Sequence, residues 1–134
     1  IPNNNDPEAS LIKREKSIIT TTQVDKGDRI LKNKKVDFIK IDVEGTELNV
    51  IVGLKKIIKK HKPLIMIEIE KRHNLKYLKV FKYLVKLNYK IYYLNNKKLE
   101  LSNLNLKNLK NFINLNQKNI DSKNYINNFF FKKN

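Results

Sequence analysis

Residues 36–70 read VDFIKIDVEGTELNVIVGLKKIIKKHKPLIMIEIE, and the change of period inside this stretch decides the fold. The run VDFIKIDV (36–43) predicts a strand, with Ile39 and Ile41 on one face and Phe38, Lys40 and Asp42 on the other. It is apolar on much of both faces, the pattern of an inner strand covered by helices. Then the spacing lengthens. Leu48, Ile51, Leu54 and Ile58, widened by Val50, Val52 and Ile57, predict an amphipathic helix from about Thr46 to His61. Glu44 and Glu47 suit its positive start, and Lys55, Lys56, Lys59 and Lys60 suit its negative end. Pro63 stops it, and LIMIEI (64–69) follows as a second buried strand.

The same reading extends outward. Residues 1–16 hold two of the three prolines and an asparagine run, and read as a loop leading in. SIITTTQV (17–24) is β-branched and predicts a short strand ending near Val24. Residues 25–34 predict a short helix, with Asp25 as cap and Ile30 and Leu31 facing inward. Residues 74–88 predict a second long helix, capped by Asn74 and striped by Leu78, Phe81, Leu84 and Val85. YKIYYLN (89–95) predicts a third strand. Strand, helix, strand, helix, strand at these lengths indicates an α/β sheet with crossover helices. The organisation expected is one domain: the loop (1–16), an α/β core (17–95), a variable Asn-, Lys- and Leu-rich segment with one short helix (96–124), and a last strand (125–131).

Composition narrows the function. The chain has 134 residues, about one domain. It has no cysteine, which excludes disulfides and thiolate metal sites. No run of apolar residues is long enough to span a membrane, so a cytoplasmic protein is expected. The first residue is Ile1 and the single methionine is Met66, which indicates a piece of a longer polypeptide. A net charge of +16 invites a nucleic-acid reading. Against it, only Arg14, Arg29 and Arg72 supply the guanidinium groups suited to phosphates and bases, and the lysines are dispersed. A solvated lysine surface is the favoured reading. A small basic module binding RNA or another anion is the alternative.

The candidate chemistry lies where parallel strands end, since ligands of open α/β sheets sit outside those carboxyl ends. The first strand ends in Asp42-Val43-Glu44-Gly45 and the second in Glu68-Ile69-Glu70. If the two are neighbours, Asp42, Glu44 and Glu68 converge on one rim, and Gly45 lets the backbone turn sharply. Helix dipole and capping explain Glu44 and Glu47 as well as a site does. They explain Asp42 less well, because it lies on the strand side of the turn and shares a face with Lys40. Lys40 reads as a partner for an acid, and Glu68 as a site residue or the partner of a lysine. His61 reads as a favourable helix end. His73, just past the second acidic end, reads as an isolated histidine or a proton-transfer group. There is no phosphate loop, no Gly-x-Gly-x-x-Gly, no Gly-x-Ser-x-Gly elbow and no metal-binding histidine pair.

The 36–70 stretch resembles the signature of the FkbM-type methyltransferases. The likeness is carried by Ile39-Lys40-Ile41-Asp42-Val43-Glu44-Gly45, by Glu47 and Gly53, and by Pro63 leading into the strand with Glu68. Thr46 stands where that family usually has Ala. Ser10-Leu11, Val24-Asp25, NYKIYYL (88–94, with Asn88 in place of a glycine) and NYINNFFFKK (124–133) are weaker echoes. The resemblance implies the C-terminal part of a Rossmann-like class I methyltransferase sheet, three-layered, with an antiparallel last strand. It implies S-adenosylmethionine as cofactor and O-methylation of a hydroxyl on a sugar, glycolipid or secondary metabolite. It further implies Asp42 as base or orienter, Lys40 as the residue that tunes it, and Glu44 as a placing group. Asp42 and Val43 would face the cofactor, and Glu68 and His73 the substrate; no metal ligand is assigned, although the rim acids leave room for a metal. The family's first strand, glycine-rich loop and ribose-holding acid have no counterpart in these residues. The isolated chain is therefore expected to bind the cofactor weakly or not at all, with an inactive truncated remnant as a further alternative.

Overall fold

The computed structural model describes residues 23–118, 120 and 122–133. Ten elements follow in order: α1 (Gly27–Ile30), β1 (Phe38–Ile41), α2 (Glu47–Gly53), α3 (Lys55–His61), β2 (Leu64–Glu68), α4 (Leu78–Lys86), β3 (Tyr89–Asn95), β4 (Glu100–Leu104), α5 (Leu106–Gln117) and β5 (Asn128–Lys133). The five strands form one mixed sheet in the order β1-β2-β5-β3-β4. β1 and β2 are parallel, with Ile39 beside Ile65 and Ile41 beside Ile67. β5 runs antiparallel to both β2 and β3, so β3 points the same way as β1 and β2. β4 pairs antiparallel on the outer side of β3.

The sheet is packed on one face. Ile41, Ile65, Ile67, Phe129, Phe131, Tyr89, Ile91 and Leu104 share that face by register, and all are buried. Helices meet it through Ile51, Ile57, Ile58, Val80, Phe81, Leu84, Leu109 and Ile113. Phe81 sits edge-on to Phe129 with ring centroids 5.0 Å apart, a favoured aromatic geometry. On the opposite face Phe38 is 52% exposed, and Leu64, Leu94 and Leu101 are exposed too. The expectation of an inner strand covered on both faces is therefore corrected: among the described residues β1 is an edge strand, and its outer face is open.

The helix expected over 46–61 is two helices. Leu54 separates α2 from α3. The cause is a carboxylate from elsewhere in the chain: Asp28 of α1 accepts the Lys56 N–H at 2.9 Å and the Ile57 N–H at 3.0 Å. Those amides start a new helix instead of continuing the old one. α1 approaches closely at this point, since a Cβ on Gly27 would lie 2.3 Å from Leu54 Cδ2. α1 itself is shorter than the span 25–34, and Ile30 is 63% exposed rather than inward. Asp25 accepts the Lys26 N–H and pairs with Arg29 without capping α1, whose N-cap is Lys26.

The helix expected over 74–88 begins at Leu78. Asn74 heads the turn before it, accepting the Lys76 N–H at 2.9 Å. In the 96–124 segment the expectation of one short helix is too sparse: β4 and the twelve-residue α5, capped by Asn105, both lie there. The last strand runs to Lys133. Of the strand expected over 17–24, residues 17–22 lie outside the described residues, and Gln23 and Val24 are not in a strand.

Candidate active site at the ends of the parallel strands

Parallel pairing of β1 and β2 places the two acidic strand ends side by side. Lys40 and Asp42 stand on the same face as Met66 and Glu68, because Ile41 lies beside Ile67. Lys40 Nζ donates to Asp42 Oδ2 at 2.8 Å, both side chains being about half exposed. This bond raises the Lys40 ammonium above its ordinary pKa. Glu68 is pushed up chiefly by burial, and then by the neighbouring charges of Asp42 and Glu70. The adjacency expected of Asp42 and Glu68 is present, with Lys40 beside them.

Glu44 takes a different position. It stands 3.6 Å from His73 Nδ1, and His73 Nε2 stands 3.3 Å from Glu70 Oε2. Both ring nitrogens of His73 thus face carboxylates, and the ring bridges the turn after β1 to the turn after β2. His73 is therefore not isolated. Glu70 is buried at 7% exposure and also pairs with Arg72. The two groups of acids are joined by Asn127, which donates to Glu68 Oε1 at 2.8 Å and Glu70 Oε1 at 3.2 Å. Tyr125 lies against the same acids, and burial raises its phenol pKa, with Glu70 adding to the effect.

Gly45 makes the turn that brings Glu44 into this position. Its φ is 77°, a left-handed conformation that residues with a Cβ adopt at a cost. The turn is held from beneath by Glu47. This residue is 1% exposed; it accepts the Gly45 N–H at 3.1 Å and the Asn74 amide at 2.6 Å. Glu47 does occupy the first turn of α2. Its larger task is to tie the β1–α2 turn to the chain that leaves β2. Val43, half-buried, packs its side chain against the core. His61 lies far from the rim: its Nδ1 accepts the Val36 N–H at 3.1 Å, an acceptor's role rather than that of a cation or donor at the helix end.

Four participants escaped sequence reasoning. Glu70 was visible only as the last letter of an acidic strand end. Asn74 carried a capping signal that concealed its bond to Glu47. Asn127 and Tyr125 sit in a polar approach to β5, and nothing local marks them. Only the insertion of β5 between β2 and β3 brings them to the rim. Among the described residues no three side chains of the His, Asp and Glu kind are grouped to hold a metal ion. No helix among them is long and apolar enough to cross a membrane.

A mixed α/β sheet with its acids gathered where two parallel strands end has the arrangement of a Rossmann-like domain, whose chemistry sits at the strand ends. A family model described as the methyltransferase FkbM domain matches residues 2–91. The chain belongs to the FkbM methyltransferase domain family. No curated protein and no solved structure matches it. The matched span contains Lys40, Asp42, Glu44, Glu47, Glu68, Glu70 and His73, while Tyr125 and Asn127 lie beyond it.

Proposed function

We propose that this chain forms the acceptor side of an S-adenosylmethionine-dependent methyltransferase acting on a hydroxyl of a sugar, glycolipid or secondary metabolite. The observation that carries the reading is the Lys40–Asp42 pair beside Glu68 at the adjacent ends of β1 and β2. The donor set suits the cationic end of such a cofactor: in a chain of net charge +16, this rim gathers Asp42, Glu44, Glu68 and Glu70. Asp42 and the main chain of Val43 would border that end. The sequence has no glycine-rich loop for the nucleotide part, so the isolated chain would hold the cofactor weakly.

S-adenosylmethionine, when bound, supplies a methyl group on a positively charged sulfur. The protein's own work is to place the acceptor oxygen in line and receive its proton. The acceptor hydroxyl, as it takes the methyl group, would give its proton to a rim carboxylate. Of the two candidates, Asp42 is engaged by Lys40 at 2.8 Å, which suits it to orient the acceptor. Glu68 holds a proton more readily, because burial and the nearby acids raise its pKa, and it is the better acceptor. Glu44, braced by His73, would help place the substrate, and Asn127 fixes one oxygen of Glu68.

Two measurements test this. Isothermal titration of the 134-residue chain with S-adenosylmethionine should show no micromolar binding; tight binding would overturn the weak-grip expectation. In a polypeptide that carries a glycine-rich loop ahead of these residues, Asp42→Asn should lower labelled methyl transfer by ~100-fold, the order of loss that misplacing the acceptor brings. Cofactor affinity should change far less. Parallel loss of activity and thermal stability would instead mark Asp42 as a structural acid.

A further inference from the structure

At the opposite end of the sheet from the acidic rim lies a hollow of about 280 Å³, bordered by α3, the end of α4, the start of β3 and the end of β5. Its lining includes Lys59, Lys86 and Lys133, one from each of α3, α4 and β5, and no carboxylate. None of the three lysines pairs with a described acid. We propose that this hollow is an anion site that takes a phosphate-type group, distinct from the acidic rim and independent of the methyl-transfer reading.

Four features of the chain carry the inference. First, the ordinary explanation of terminal lysines is incomplete. Lys59 and Lys86 lie in the last turns of their helices, where cations offset the helix dipole. Lys133 is on a strand, opposite Tyr89, and has no helix end of its own to serve. Second, Asn88 adopts φ 64°, a conformation glycine takes at least cost, yet it places an amide on the lip of the hollow. Third, Tyr89 is buried, its hydroxyl meets no described acceptor, and burial pushes its pKa to about 12, so it remains a proton donor. Fourth, every polar side chain on the lining is a donor or can act as one, and cations gathered around a concave surface focus a positive potential within it. A tetrahedral oxyanion with several acceptor oxygens matches that set. A cationic ligand does not.

The test uses the full chain and two probes, inorganic tripolyphosphate and phosphatidylcholine vesicles with or without phosphatidic acid. The variant Lys59→Gln/Lys86→Gln/Lys133→Gln is compared with Lys107→Gln/Lys110→Gln/Lys118→Gln, which removes the same charge from α5 and the residue that follows it. Circular dichroism confirms that both fold. The hollow variant should weaken anion binding about tenfold, equivalent to about 1.4 kcal/mol. The control should weaken it less than about twofold, because distant exposed charges are screened by salt. If tripolyphosphate alone shows this pattern, the source is a free phosphorylated molecule; if the phosphatidic acid vesicles show it, the source is a lipid headgroup. Equal losses in the two variants, or no binding of either probe to the wild type, would overturn the proposal.

Discussion

Replacing Glu47 separates two accounts of one carboxylate. If Glu47 merely complements the helix dipole, Glu47→Ala costs about 0.3–1 kcal/mol. The structure assigns it more. The Asn74 amide, itself buried, loses its acceptor, and an unsatisfied buried donor costs about 1–3 kcal/mol. The Gly45 N–H loses its acceptor as well, but it is only part-buried and water replaces most of that bond, leaving about 0.5–1 kcal/mol. Lost packing adds about 0.8 kcal/mol for the methylene removed. Relief from burying a carboxylate offsets a part of this, roughly 1 kcal/mol or more. The net expectation is about 2–3 kcal/mol, a fall in Tm of roughly 6–15 °C for a chain of this size. Glu47→Gln, which keeps the shape and one acceptor oxygen, should cost about half as much. Urea denaturation followed by circular dichroism measures both. A double-mutant cycle with Asn74→Ala should show a coupling of at least about 1 kcal/mol. A cost below about 1 kcal/mol for Glu47→Ala, or additivity with Asn74→Ala, would refute the tie between the two turns and return Glu47 to the dipole account.

Three further outcomes follow from the same geometry. Asp28→Ala removes the side-chain cap of α3 and should cost about 0.5–2 kcal/mol, with faster amide exchange at Lys56 and Ile57; unchanged exchange there would contradict the capping role. Gly45→Ala places a Cβ at φ 77° and should cost about 1–2 kcal/mol, while methyl transfer in the loop-bearing polypeptide falls further than stability alone explains; a neutral effect on both counts against the strained turn. Glu68 has a folded-state pKa above its unfolded value, so the folded state holds the proton more tightly. Its ionisation therefore subtracts stability as pH rises through the unfolded value, and the loss is complete above the folded one. Glu68→Gln should raise Tm relative to wild type at neutral pH and lose that advantage in acid. A difference independent of pH would exclude the burial and charge crowding assigned to Glu68.

The sequence by itself determined the local elements and which acids stand at the strand ends. Period two over 36–43 and 64–69, period 3.6 between them, and Pro63 as a stop specify strand, helix and strand without reference to the rest of the chain. β3 spans the expected residues Tyr89–Asn95. The acids at the strand ends were also legible, because a doubly wound sheet fixes where ligands approach. Tertiary structure alone decided three other matters. A carboxylate 28 residues away in sequence cut one helix into two, since the amides of Lys56 and Ile57 donate to whichever oxygen reaches them. Exposure of Phe38 and Leu64 depends on which elements cover a face, which alternation cannot reveal. The bonds of Glu47 to Asn74 and of Asn127 to Glu68 and Glu70 depend on sheet order and turn geometry. A carboxylate reads the same in a sequence whether it caps a helix, binds a substrate or braces a neighbouring turn. Only the donors that folding brings within hydrogen-bond reach assign it to one of these.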